Sequence, residues 1–184
     1  MTTKVLSCKI LQNELEILSV ELELELHYVD AGLHVNPDNL AKTINYNLNL
    51  LEEQSMGLIF GNLCFTDLES TTRTFNTIMP DVKNCIEMVA DPKLIAALSD
   101  EAKTFFITPG WLENWEAIFK EGLKWDGIDA RQNFGPYERI VLFDTGVCSI
   151  NDLKILEFYD YTQTPVEIVF VGLERLRNLL INIK

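Results

Sequence analysis

Cysteine and histidine are the scarcest chemistry-bearing residues in the chain, with four cysteines and two histidines among 184 residues. The cysteines are Cys8, Cys64, Cys85 and Cys148, and the histidines are His27 and His34. Thiolate and imidazole are soft donors that suit zinc, copper(I) or iron–sulfur chemistry. Cys8, Cys64 and Cys85 with His34 would make a Cys₃His set, which is sufficient for tetrahedral zinc. Three thiolates alone would hold an iron–sulfur cluster with one iron left open. No CxxC pair occurs, so a zinc ribbon or a thioredoxin motif is excluded, and any shared site must be assembled by the fold. Against this stands the ordinary behaviour of a free cysteine, which most often simply packs. Cys148, beyond an Asp-Thr-Gly turn, is assigned to packing. His27 shares a face with glutamates and is assigned to the surface.

A second group of residues could shape a ligand pocket. Gly61, Gly110 and Gly146 would let backbone approach a ligand closely. Trp111 offers a flat apolar face, and Asp144 ends an apolar run where it could orient a ligand or accept from a metal-bound histidine. Asp144 also has a plainer use, capping its own turn. Trp115 and Trp125 continue an aromatic stripe that suits a core better than a planar cofactor. Glu52 and Glu53 are read as a solvated helix end. No phosphate loop, GxGxxG fingerprint or nucleophile elbow is present.

These residues need strands and helices to carry them. Short apolar runs occur at Val5–Leu6, Leu22–Tyr28, Gly57–Phe60, Thr77–Met79, Thr104–Thr108, Arg139–Phe143 and Val166–Val171. Helical spacing covers Ile10–Ser19, Lys93–Leu98, Leu112–Trp125, Ile150–Tyr159 and Leu173–Ile183. Asn36-Pro37 and Asp91-Pro92 are helix starts, the first running to about Glu53. Trp125–Pro136 reads as a long loop, because Gly127, Gly135 and Pro136 interrupt it. Strands alternating with helices predict an α/β fold: a doubly wound, mainly parallel sheet with helices on both faces, in one domain over 1–184. Ligands then bind at the strand carboxyl ends. Cys8, Gly32-Leu-His34, Gly61–Cys64, Cys85, Thr108–Trp111 and Asp144–Gly146 all follow strands, so one rim would gather them.

The bulk composition narrows the partners. The net charge of −13 repels phosphate backbones and argues against nucleic-acid binding. No apolar run approaches a membrane span. Met1–Cys8 lacks a leader pattern, and a cytoplasmic location with reduced thiols is expected.

At the strand-end clusters the chain resembles the domain of unknown function 1638 family of methanogenic archaea and anaerobic bacteria. The likeness runs in order along nearly the whole chain. It begins at Ser7–Leu15 and passes through Gly32-Leu-His34, Gly61-Asn-Leu-Cys64 and Asn84-Cys-Ile86. It continues through Phe106–Trp111 and Asp144-Thr-Gly146 to Gly172–Leu180. The resemblance implies an accessory role near corrinoid-dependent methyl transfer, with a corrinoid as cofactor, or a corrinoid protein or methyltransferase as partner. Departures fall at Lys83-Asn84, where the family has His-Asp, and at Phe65, where it has glycine. They put an acid–base role at the Cys85 loop in doubt and leave the three thiols in place. The resulting expectation is a metal- or metallocofactor-binding protein. Its alternatives are a zinc-thiolate methyltransferase-type enzyme and a metal-free interaction module.

Overall fold

The computed structural model describes residues 2–51, 56–65 and 68–183. Strands β1 (Thr3–Cys8), β2 (Leu24–Val29), β3 (Met56–Ile59) and β4 (Thr77–Ile78) form one sheet in the order β2-β1-β3-β4. Strands β5 (Thr104–Ile107), β6 (Arg139–Asp144) and β7 (Val166–Phe170) form a second, in the order β5-β6-β7. Every pairing is parallel. Helices α1 (Gln12–Leu22), α2 (Pro37–Leu51), α3 (Leu68–Phe75), α4 (Cys85–Val89) and α5 (Pro92–Glu101) belong to the first half. Helices α6 (Pro109–Glu113), α7 (Gly127–Phe134), α8 (Asp152–Thr162) and α9 (Glu174–Ile181) follow in the second. The α/β class and parallel pairing match the sequence expectation. The single rim does not, because the strands divide between two sheets.

The strands follow from their composition. In β3 and β6 the runs Met56–Ile59 and Ile140–Phe143 are buried throughout, as expected of parallel strands covered on both faces. β2 begins only at Leu24, because Glu21 belongs to α1 and Glu23 caps it; the edge strand keeps one glutamate, Glu25, whose Oε1 lies 3.0 Å from His27 Nε2. Asn36 and Asp91 start α2 and α5 as read, accepting from the backbone N–H of Asn39 and Lys93. Glu52 and Glu53 lie outside the described residues.

The expected loop over Trp125–Pro136 is instead mostly α7. Asp126 and Asp129 close a capping box there, which outweighs the breakers at its two ends. The expected Leu112–Trp125 helix is α6 followed by a π-helical stretch, Glu116–Gly122. Trp115 and Trp125 belong to the core. Trp115 packs on Phe158 and Tyr161, and Trp125 stacks on Phe119.

Among the described residues, no helix is long and apolar enough to cross a membrane.

Candidate functional site

The order β2-β1-β3-β4 reverses direction at β1. The chain leaves β1 for one neighbour, β2, and then crosses back to place β3 on the other side. Loops leaving the carboxyl ends of β1 and β3 therefore diverge, and the crevice between them is the site that such sheets use for ligands. Cys8 is the last residue of β1, and Gly61–Cys64 follows β3. The thiols stand at this switch point.

One small cavity there is lined by Cys8, His34, Cys64 and Cys85, with Gly61 and Met88 among its other walls. It encloses about 10 Å³, roughly the room one water molecule or ion requires. Each donor arrives by its own local device. Asp30 accepts from Gly32 N–H at 2.9 Å and starts the 3-10 turn Ala31–Val35, which carries His34. The Gly61–Cys64 loop closes on itself, with Gly61 N–H donating to Cys64 Sγ at 3.3 Å. Asn84 caps α4 by accepting from Glu87 N–H, so Cys85 opens a helix rather than sitting in a loop. Phe65 is buried edge-on against Phe60 and anchors the end of the Cys64 loop.

Two glycines make this approach sterically available. A Cβ on Gly61 would lie 2.3 Å from both Lys83 O and Asn84 N, the backbone just before Cys85. A Cβ on Gly110 would lie 1.9 Å from Ile10 O, two residues after Cys8. No side chain fits at either distance. Gly61 thus draws the Cys64 and Cys85 segments together, and Gly110 seats the second sheet on the Cys8 segment.

Trp111, next to Gly110, reaches the site itself. Its indole Nε1–H donates to Cys85 Sγ at 3.3 Å, and its ring meets His34 edge-on with centroids 4.8 Å apart. It is half-buried.

Burial sets the protonation states. It pushes Cys8 and Cys85 up to about 12, with the nearby thiols adding to the rise. The Trp111 donor partly opposes this at Cys85. Burial also raises Cys64, against the Gly61 N–H, and lowers His34. At neutral pH the free site therefore holds thiols and a neutral imidazole. Burial thus keeps Cys8 and Cys85 protonated at neutral pH, so neither is a nucleophile unaided. Among the described residues, no group of three or more Cys, His, Asp or Glu side chains already stands in metal-holding geometry. Two of the sulfurs are engaged instead by the N–H groups of Gly61 and Trp111.

The remaining sequence-predicted residues lie elsewhere. Asp144 and Gly146 do not line the thiol cavity. Asp144 Oδ1 accepts from Gly146 N–H at 2.8 Å, which is the turn-capping role. Gly146 takes φ +74° against the Phe170 ring. Their expected place in the cysteine wall fails because they end a strand of the second sheet and fold onto β7. Cys148 sits apart, beside Asn13.

Sequence reasoning missed Glu14. It is fully buried on α1, where Oε1 accepts from Thr145 Oγ1 at 2.9 Å and Oε2 has no partner among the described residues. Burial raises its pKa above the usual carboxyl value. A signal was present, because Glu14 falls on the apolar stripe of Leu11, Leu15 and Leu18 at helical spacing.

A family model described as "Protein of unknown function (DUF1638)" matches residues 28–180. The chain belongs to this family. His34, Cys64, Cys85 and Trp111 lie inside the matched range, and Cys8 precedes it. No curated protein and no solved structure matches the chain.

Proposed function

We propose that this protein binds one soft transition-metal ion, zinc in the first instance, through Cys8, Cys64, Cys85 and His34. The observation that carries the reading is the convergence of three thiols and one imidazole on a single ion-sized cavity at the switch point of the first sheet. The donor set has the right chemistry, and the walls between the donors, Phe60 and Met88 among them, supply an apolar surround. Sulfurs now engaged by Gly61 and Trp111 must turn toward the ion, a rotation about a side-chain bond. Bound zinc would hold the sulfurs as thiolates despite burial and so supply the reactivity the free thiols lack.

The cavity has no room for a corrin ring. A role beside corrinoid-dependent methyl transfer would therefore have the corrinoid delivered on a partner protein. The half-buried Cys64, next to the exposed Leu63, is the sulfur such a partner would meet first. An iron–sulfur cluster uses the same three sulfurs and requires the cavity to widen.

Metal analysis after anaerobic purification is the test, joined to an ultraviolet-visible spectrum. About one colourless zinc per chain supports the proposal, and a brown chromophore with iron and sulfide replaces zinc by a cluster. Metal-free protein that takes up neither zinc nor iron under reducing conditions refutes it.

A further inference from the structure

We infer that Trp111 is the positioning residue of the thiol site, through which the second sheet sets how tightly the first sheet holds its metal. This rests on the soft-metal reading above. Three separate contacts support it. The indole N–H is aimed at Cys85 Sγ at 3.3 Å. The ring edge braces His34 at 4.8 Å between centroids. The backbone beside Trp111 is fixed on Ile10 O, where Gly110 tolerates no Cβ. One residue of α6 thus addresses two proposed ligands, while its neighbour is locked to the segment that carries a third, Cys8.

The chemistry of an N–H···S bond is directional. The donor draws electron density from sulfur, stabilises thiolate over thiol, and lowers the proton competition a metal must overcome. At Cys85 this donor is a side chain from the second sheet, whereas the N–H on Cys64 comes from Gly61 of its own loop. His34 gains a restricted ring orientation, as metal-bound imidazoles usually do from an outer partner. Trp115 and Trp125 have no such role, since their ring neighbours are Phe158, Tyr161, Phe119 and Phe134.

Cobalt(II) is the probe, because thiolate-to-cobalt charge transfer gives a near-ultraviolet band that reports electron density on sulfur. Reduced protein is titrated with cobalt(II) across pH, for the wild type and for Trp111→Phe, which keeps a ring and removes the N–H. The expected result is about tenfold weaker binding in the variant. The pH midpoint of uptake should move upward, and the charge-transfer band should move to lower energy. A purely structural role predicts reduced thermal stability with midpoint and band unchanged, and that result overturns the inference alone. Should Trp111→Phe fail to fold, wild-type fluorescence decides: cobalt must quench the tryptophan in contact with Cys85, and unquenched emission at full occupancy is equally fatal. Wild-type protein that shows no thiolate–cobalt band removes the metal reading and this inference together.

Discussion

The carboxyl ends of the two sheets obey the same rule and reach opposite outcomes. At the first, the order β2-β1-β3-β4 turns back on itself, and the loops after β1 and β3 part to leave a crevice. At the second, β5, β6 and β7 follow one another without reversal. Its strand-end loops run the same way, and Asp144 takes no part in the lining of the thiol cavity. Asp144 there bonds to Gly146 and Thr145 to Glu14, while Glu14 Oε2 and Thr108 Oγ1 have no partner among the described residues. A reversal in strand order thus separates a gathering point from a self-contained turn. The second sheet contributes to the site by leaning Gly110 and Trp111 onto the first.

The sharpest way to break this contrast is to remove one sulfur from each region. Cys64→Ser should weaken zinc binding by at least about 100-fold, since a hydroxyl is a poor soft ligand, while Cys148→Ser leaves it unchanged. Competition with a chromophoric chelator reads both, and equal affinities would dissolve the distinction. The pH dependence sharpens it further. Three thiols raised by burial each release a proton on binding, whereas His34, lowered by burial, releases none above its ordinary range. Apparent zinc affinity should therefore rise with a slope near three, roughly 1,000-fold per pH unit around neutrality, once the chelator's own titration is corrected. A slope near zero would mean the thiols take no part.

Glycine substitutions compare the packing of the two ends. Gly110→Ala drives a methyl into the Ile10 carbonyl, so its cost should reach about 3 kcal/mol or more in urea unfolding. Gly146→Ala meets only the edge of the Phe170 ring, and its left-handed backbone should cost about 1–2 kcal/mol. A reversed order would contradict the account of how the sheets are seated.

The smaller effect concerns Glu14. Its folded pKa is raised above the unfolded value of 4.5, so its contribution is fully present below that pH and is lost as pH rises toward the folded value. Within that window each pH unit removes up to about 1.4 kcal/mol. Glu14→Gln cannot ionise, so wild type minus variant should fall as pH rises above 4.5 and then level off. Parallel stability curves would show that Glu14 ionises as easily in the folded chain as in the unfolded one. The least effect is expected from Asp144→Ala, about 1 kcal/mol for the lost turn bond and no change in zinc affinity.

Much of this was legible in the chain. The seven strands among the described residues stood out as short apolar runs, and β3 and β6 are continuous because parallel strands covered on both faces leave no polar position. Asn36-Pro37 and Asp91-Pro92 announced their helices because capping is local chemistry. The family was also legible, and its model matches residues 28–180. Cys8, His34, Cys64 and Cys85 could be named because they are scarce residue types beside strand ends. Other features were hidden. The breakers Gly127, Gly135 and Pro136 concealed α7, since they mark its ends and the capping box of Asp126 and Asp129 supplies what lies between.

What the sequence alone determined is the α/β class, the parallel strands and the candidate thiols, because periodicity, capping and residue type act within a few residues. What only the tertiary structure decided is the division into two sheets and the choice of which strand ends share a crevice. Strand order is set by contacts between segments far apart in the chain, which local patterns do not encode. The same holds for Trp111, whose meeting with Cys85 and His34 depends on a bare Gly110 backbone resting against Ile10.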